Sequence, residues 1–252
     1  MKTIAIAVQK GGTGKTTTAY NTAAEIAAAG KRVLLVDLDP QSTLTNSTGI
    51  TQEPGSDIAA VIGDAKPGTK TISDIVKNVY PGIDIAPGSI ELAYSELMII
   101  GRLGRETILK KALQQVNNDY DVCIIDNPPS LGLLTVNGLA AADSVLIPIQ
   151  PTAADIQGLQ LFLKTLQNMK EINPGLDVLG ILLTIYDNRL TLHRQAADEI
   201  RAAGLPLFPC SVSRSVRIAE TIGECKPLLK HDPKNPNNET YRTIANEIIK
   251  GL

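Results

Sequence analysis

The sequence predicts an α/β fold with a mostly parallel, twisted sheet and helices on both faces. Short runs rich in Val, Ile and Leu alternate along the chain with segments of helical periodicity. Runs such as RVLLVDLD (32–39) and YDVCIID (120–126) are almost continuously apolar, which is typical of parallel strands buried on both faces. No linker rich in Pro, Gly or Ser divides the 252 residues, so we expect one domain spanning 1–252.

The expected strands share apolar, β-branched composition. In chain order they are Thr3–Gln9, Arg32–Asp37, Ile83–Ala86, Asp121–Asp126, Ser144–Ile149, Val178–Ile185 and Leu207–Cys210. The expected helices lie between and after them: Lys15–Ala29, Ile90–Met98, Glu106–Val116, Leu133–Ala142, Asp155–Lys170, Leu192–Ala203, Val216–Ile222 and Asn238–Lys250. The first helix is followed by Gly30, the residue type that most often ends a helix in the left-handed conformation.

Composition excludes several classes of protein. The net charge of −2 gives no general affinity for polyanions, and the absence of an apolar run of about 18 residues predicts no transmembrane helix. Three cysteines without C-x-x-C spacing indicate reduced thiols rather than a metal site. The N-terminus has no signal-peptide pattern, so we expect a cytoplasmic protein.

A phosphate-binding loop stands between the first strand and the first helix. The segment VQKGGTGKTTT (8–18) ends in the Gly-Lys-Thr of that motif, although Gln9 stands where its first glycine is usual. Glycines let backbone N–H groups turn towards phosphates, and the helix N-terminus adds partial positive charge. We expect Lys15 to contact the β- and γ-phosphates of a bound triphosphate and Thr16 to ligate Mg²⁺. The residues expected to bind the nucleotide are Gly11, Gly12, Thr13, Gly14, Lys15, Thr16 and Thr17.

Three carboxylates end neighbouring strands. Asp126 ends the run VCIID, and Asp37 and Asp39 end VLLVDLD on one face of the strand. Ligands in parallel sheets bind at the carboxyl ends of the strands. We therefore expect Asp37 and Asp126 to serve the Mg²⁺ site and Asp39 to position the attacking water.

A second lysine, Lys10, precedes the glycines of the loop. Two ammonium groups about 4 Å apart repel each other by ~1 kcal/mol in water and by more in a drier site. Lys15 and Mg²⁺ already balance the negative charge of one triphosphate. The simplest interpretation is therefore that Lys10 contacts the triphosphate of a second subunit. We expect Lys10, Lys15 and Asp39 to be the catalytic residues.

These motifs resemble the ParA/Soj partition ATPases, whose phosphate loop deviates from the usual Walker A pattern. QKGGTGKTTTAYNTAAEIAAAGKRVLLVDLDPQ resembles their phosphate loop and first switch, and DVCIIDNPPSLGLLTVNGLAAADSVLIPIQ their second switch. The resemblance implies a P-loop NTPase fold and a slow, partner-stimulated ATPase that forms a homodimer with ATP. It implies that Lys10 reaches across the dimer, and that Lys15, Thr16 and Asp126 bind ATP and Mg²⁺. It also implies non-specific binding to double-stranded DNA, a ParB-like adaptor and a nucleoid-associated location.

The last quarter of the chain carries the charge expected of a DNA-binding surface. Residues 189–252 contain ten Lys or Arg and seven Asp or Glu, a balance of +3 within a chain of net charge −2. Arg189 and Arg217 stand at positions that resemble DNA contacts of the family, with Arg214 nearby. An exposed helix face accounts for any one of these arginines equally well.

The main alternative is a membrane-cycling positioning ATPase like MinD. Such a protein needs a C-terminal amphipathic helix with a basic face. NNETYRTIANEIIKGL (237–252) carries two Glu, one Arg and one Lys, so its charges balance. We expect this helix to pack on the domain, and we expect no membrane partner. An iron–sulfur carrier and a metabolic ATP-dependent ligase are further alternatives, but no suitably placed cysteines and no substrate-binding motif indicate them.

Overall fold

The computed structural model describes residues 1–63 and 70–252. Within those ranges the strands are β1 (Lys2–Ile6), β2 (Val33–Asp37), β3 (Lys77–Tyr80), β4 (Ile83–Ala86), β5 (Val122–Asp126), β6 (Ser144–Ile149), β7 (Asp177–Tyr186) and β8 (Leu207–Ser213). The α-helices are α1 (Lys15–Ala28), α2 (Thr43–Ser47), α3 (Ile58–Ile62), α4 (Ile72–Ile75), α5 (Glu91–Met98), α6 (Ile108–Gln114), α7 (Leu133–Ala141), α8 (Ala153–Met169), α9 (Thr191–Ala202), α10 (Val216–Glu224), α11 (Leu228–His231) and α12 (Asn237–Lys250).

The strands form one sheet in the order β3-β4-β2-β5-β1-β6-β7-β8. Every neighbouring pair is parallel except β3 with β4, which is antiparallel at the sheet edge. The predicted α/β class with a mostly parallel sheet is thus confirmed. Strands β1, β2 and β5 lie side by side, and Asp37 of β2 is in register with Asp126 of β5.

Alternate residues of the central strands point to opposite faces of the sheet, and helices cover both faces. Leu35 and Ile124 pack with α1 and α12 on one face, whereas Leu34 and Ile125 pack with α3 and α6 on the other. The apolar side of α12 lies inside the first of these clusters, where Tyr241 is 1% exposed. The C-terminal helix therefore packs on the domain, as the sequence predicts. Across the described residues no helix is both long and apolar enough to cross a membrane.

The structure differs from the sequence prediction mainly at short elements. Strand β1 ends at Ile6 rather than Gln9, because the backbone turns there and the Lys10 N–H donates to the Val8 carbonyl. A 3₁₀ turn at Arg105–Thr107 precedes α6 where the sequence predicts one continuous helix. The elements that the sequence prediction missed are β3, α2, α3, α4 and α11, each four or five residues long.

Candidate functional site

The glycine loop between β1 and α1 has the backbone shape that an anion site needs. Gly12 and Gly14 adopt φ values of +74° and +86°, in the left-handed region that glycine occupies without strain. A side chain built at Gly11 or Gly12 would meet no atom within 4 Å, so the loop borders open space. Helix α1 begins at Lys15, directly after Gly14. The loop thus presents backbone amides and a helix N-terminus to one open region.

Lys15 is buried at the base of this loop. Its side-chain ammonium donates to the backbone carbonyl of Lys10 at 2.8 Å, which holds it against the loop. Burial lowers the pKa of Lys15, while the nearby carboxylates of Asp126 and Asp39 oppose that shift. A cation held between a loop and two carboxylates is poised to receive an anionic ligand.

The Thr16 hydroxyl and two buried carboxylates lie at the carboxyl ends of β2 and β5. Thr16 Oγ1 donates to Asp126 Oδ2 at 2.6 Å. Asp126 Oδ1 is buried and has no hydrogen-bond partner among the described residues. Burial raises the pKa of Asp126 well above its usual value, the carboxyl group of Asp37 raises it further, and the Thr16 hydrogen bond opposes the shift. Burial likewise raises the pKa of Asp37 to about 6. These carboxylates bring negative charge close together, and one of their oxygens has no hydrogen-bond partner among the described residues. Such oxygen ligands suit a hard divalent cation such as Mg²⁺.

Asp39 lies two residues beyond Asp37, the last residue of β2, and its backbone N–H contacts the Asp37 carboxylate. The Asp39 N–H donates to Asp37 Oδ1 at 3.2 Å, and Asp39 Oδ1 accepts from the Gln41 N–H at 2.9 Å. Asp39 is only half-buried, unlike Asp37 and Asp126. The structure therefore brings the three predicted carboxylates together, with Asp39 nearest to solvent.

Lys10 forms an ion pair within its own chain. Its ammonium lies 2.5 Å from Asp155 Oδ2 in the first turn of α8. The Lys10 side chain is 42% exposed and that of Asp155 is 1% exposed. The Asp155 carboxylate also accepts from the hydroxyl of Thr152, the residue that caps α8. The sequence analysis missed Asp155, because 145 residues separate it from Lys10.

A cavity of about 300 Å³ adjoins the glycine loop. Gly12, Gly14 and Thr17 line one side, and residues at the carboxyl ends of β7 and β8 line the other. Ile185 lines it with φ of +52°, a conformation that strains a β-branched residue by about 1–3 kcal/mol. Such strain is common at ligand sites. A wider groove of about 640 Å³ lies near Pro206 at the start of β8, away from the glycine loop.

The three arginines predicted to bind DNA follow the carboxyl ends of the adjacent strands β7 and β8. Arg189 is highly exposed, and its side chain makes three hydrogen bonds to Asp187, the shortest of 2.7 Å from Nη2 to Oδ2. Arg217, in the first turn of α10, pairs with Glu220 at 2.9 Å. Arg214 lines the 300 Å³ cavity, so it also borders the glycine loop. The structure thus places all three near one edge of the sheet.

Comparisons with known proteins are consistent with this site. Residues 1–178 match the family model described as AAA domain. The chain is 39% identical to the sporulation initiation inhibitor protein Soj of Bacillus subtilis over 98% of both proteins. It is 36% identical to the chromosome partitioning protein ParA of Caulobacter vibrioides, over 99% of this chain and 94% of that protein. Among solved structures it resembles the cobyrinic acid a,c-diamide synthase of Mycobacterium smegmatis with bound ADP and magnesium. That match has a TM-score of 0.85 and 35% identity, and covers 99% of this chain and 94% of the other.

Proposed function

Because the chain belongs to the Soj/ParA family of partition ATPases, we propose that it binds and hydrolyses ATP with Mg²⁺ and acts as a dimer on DNA. In this proposal the ATP-bound homodimer binds double-stranded DNA without sequence preference and segregates or positions a plasmid or chromosome. A ParB-like adaptor stimulates the ATPase, and the protein works in the cytoplasm on the nucleoid.

The observation that carries the proposal is the joint placement of the glycine loop, Lys15 and the Thr16–Asp126 pair. The amides of residues 11–14 and the N-terminus of α1 surround the region where phosphates bind in such loops. Lys15 balances the charge of the β- and γ-phosphates. Thr16 Oγ1 and Asp126, with Asp37 beside them, hold the magnesium ion directly or through water. When bound, the metal neutralises charge that develops on the phosphates during transfer.

In this proposal Asp39 positions the water that attacks the γ-phosphate. It is the most exposed of the three carboxylates, and Asp37 holds its backbone next to the metal ligands. Asp39 is half-buried, whereas Asp37 and Asp126 are buried. Its carboxylate therefore stays available to accept a hydrogen bond from water.

The cavity beside the loop receives the base and ribose. Ile185, Ile218 and Ile222 give it an apolar wall, and Arg214 and Ser213 give it polar groups. Its volume of about 300 Å³ is at the lower end of small-molecule pockets. Because Thr17 lines the cavity and directly follows Thr16, the first turn of α1 contacts both ends of the nucleotide.

Lys10 acts in the dimer. To reach a triphosphate in a second subunit, its ammonium must leave Asp155, and ATP supplies the anion that replaces that carboxylate. Dimerisation also places two copies of Arg189, Arg214 and Arg217 in one assembly, which increases the number of phosphate contacts to DNA.

The packing of α12 argues against the membrane-cycling alternative. The apolar side chains of this helix lie in the core with α1, and Arg242 pairs with the buried Glu25 at 3.2 Å. A helix whose apolar face is already buried has no such face to offer to a bilayer. One solved neighbour is named cobyrinic acid a,c-diamide synthase, and fast turnover without DNA or a partner would favour such a metabolic enzyme over a partition ATPase.

The decisive experiment is co-sedimentation of the purified protein with DNA in the presence of ATP, ADP or no nucleotide, beside anionic liposomes as a control. We expect sedimentation with two unrelated duplexes in ATP only, and none with liposomes. Binding to liposomes in ATP would favour the MinD-like alternative. Sedimentation with DNA to the same extent in ATP, in ADP and without nucleotide would refute the proposed dependence of DNA binding on ATP.

A further inference from the structure

Thr45 of α2 contacts Asp37 through both its backbone and its side chain. The Thr45 N–H donates to Asp37 Oδ2 at 2.8 Å, and the Thr45 hydroxyl donates to the same oxygen at 2.7 Å. Neither residue is exposed to solvent. The hydroxyl in turn accepts from the Gly88 N–H at 2.8 Å. A hydroxyl has one proton, so the bond from Gly88 leaves that proton directed at the carboxylate.

The surroundings leave Asp37 little freedom to rotate. Its second oxygen accepts from the Asp39 N–H at 3.2 Å. A side chain at Gly88 would approach the Asp37 carbonyl oxygen to 2.7 Å and Asp37 Cγ to 2.9 Å, so the backbone of residue 88 packs directly against this aspartate. Three hydrogen bonds and the close approach of the Gly88 backbone therefore fix the plane of the Asp37 carboxylate. Asp37 lies in register with Asp126 of the neighbouring strand.

We propose that Thr45 is a positioning residue for the magnesium–nucleotide site: its hydroxyl holds the Asp37 carboxylate in the orientation that serves the metal beside Asp126. The inference rests on the proposed function, because it presumes that Mg²⁺ and nucleotide bind here. It also links the metal site to α2, since any movement of this short helix displaces the hydroxyl from Asp37. Residues that orient metal-ligating groups typically change metal affinity 10- to 100-fold when they are replaced.

The test replaces the hydroxyl in the full-length chain. Thr45→Val keeps the shape of the side chain and removes its hydrogen bonds to Asp37 and Gly88, whereas Thr45→Ser keeps the hydroxyl. Binding of a fluorescent ATP analogue is measured while Mg²⁺ is titrated, and again in EDTA. We expect the Mg²⁺ concentration for half-maximal binding to rise about tenfold in Thr45→Val and to stay within about twofold of the unsubstituted chain in Thr45→Ser. Binding in EDTA should be equal in all three.

Thr48→Val is the matched control. Thr48 is also buried, and its hydroxyl donates to the Thr45 carbonyl at 2.7 Å rather than to Asp37. The inference would be overturned if Thr45→Val needed no more Mg²⁺ for half-maximal binding than the unsubstituted chain. It would also be overturned if Thr48→Val raised that Mg²⁺ concentration as much as Thr45→Val does. If Thr45→Val does not fold, Thr45→Ala must show the same shift. Failure of the unsubstituted chain to bind any nucleotide would instead refute the proposed function itself.

Discussion

The Lys10 ammonium and Asp155 Oδ2 lie 2.5 Å apart, so one ion pair joins the phosphate loop to the first turn of α8 within a single chain. The same lysine is proposed to reach the nucleotide of a second subunit. In that proposal the ammonium leaves Asp155 to reach the nucleotide, so the ion pair would stabilise the monomer relative to the dimer.

The first prediction tests this competition in the hydrolysis-deficient Asp39→Ala background with ATP. Lys10→Ala should retain ATP binding and lose the dimer. Asp155→Asn should strengthen dimerisation by up to about 30-fold, because each of the two monomers loses a half-exposed pair that contributes up to about 1 kcal/mol. Light scattering over a concentration series measures both effects, with ADP as the control in which all variants stay monomeric. Normal dimerisation of Lys10→Ala would rule out the lysine acting across the dimer.

The second prediction separates nucleotide binding from hydrolysis. Lys15→Ala should abolish ATP binding, because it removes the buried cation that is proposed to balance the charge of the phosphates. Asp39→Ala should bind ATP with nearly unchanged affinity and hydrolyse it at least about tenfold more slowly. Calorimetry and phosphate release measure the two steps. The unsubstituted chain alone should turn over slowly, and rapid turnover without DNA or partner would instead favour a metabolic enzyme.

The sequence predicts the long elements well and indicates the candidate phosphate loop, because both depend on local patterns. Strand β2 and the loop before α1 carry their signals within a dozen residues. Helix α2 does not: four of its five residues are Thr, Asn or Ser, which have low helix propensity, and its start is held by hydrogen bonds from Thr45 to Asp37. The edge strand β3 reads KNVY and lacks the apolar run of a buried strand. The Lys10–Asp155 pair also escapes sequence reasoning, because only the fold brings these residues together.

The third prediction concerns stability without nucleotide. A buried carboxyl whose pKa is raised binds more protons in the folded than in the unfolded chain, so stability is greatest at low pH and falls as pH rises through that range. For Asp37 this pH range runs from about 4 to about 6. For Asp126 the range begins at about the same pH and continues to higher pH. Asp126→Asn should therefore raise the free energy of unfolding at pH 7.5 by about 1–3 kcal/mol, with a smaller gain near pH 5.

Urea denaturation in EDTA at the two pH values measures this gain. Asp198→Asn is the control, because Asp198 is an exposed residue of α9 whose replacement should change stability by less than about 0.5 kcal/mol. The same Asp126→Asn chain should need more Mg²⁺ to bind nucleotide, so the site would gain stability and lose function together. A destabilised Asp126→Asn chain at pH 7.5 would show that the carboxylate has stabilising partners beyond Thr16.

The last prediction concerns DNA, for which the structure offers two exposed arginines already held in place. Asp187 accepts three hydrogen bonds from the Arg189 side chain, and Glu220 holds Arg217. The hydrogen bonds from Arg189 lower the pKa of Asp187 to about 2, so this pair stays ionised at neutral pH. A DNA phosphate must therefore compete with a carboxylate at each arginine. Replacing Asp187 with Asn should consequently tighten DNA binding, whereas replacing either arginine should weaken it.

A salt titration with ATP on two unrelated duplexes decides between a DNA-binding surface and an ordinary solvated one. Each neutralised phosphate contributes about −0.9 to the slope of log affinity against log salt, so Arg189→Ala or Arg217→Ala should flatten the slope of a dimer by about 1.8. The loss should be nearly equal on both duplexes, because phosphate contacts carry no base information. Arg201→Ala is the matched control, since Arg201 is also exposed and pairs with a carboxylate, but lies in the last turn of α9. If the slope flattens equally in all three variants, or in none of them, Arg189 and Arg217 are not part of the DNA interface.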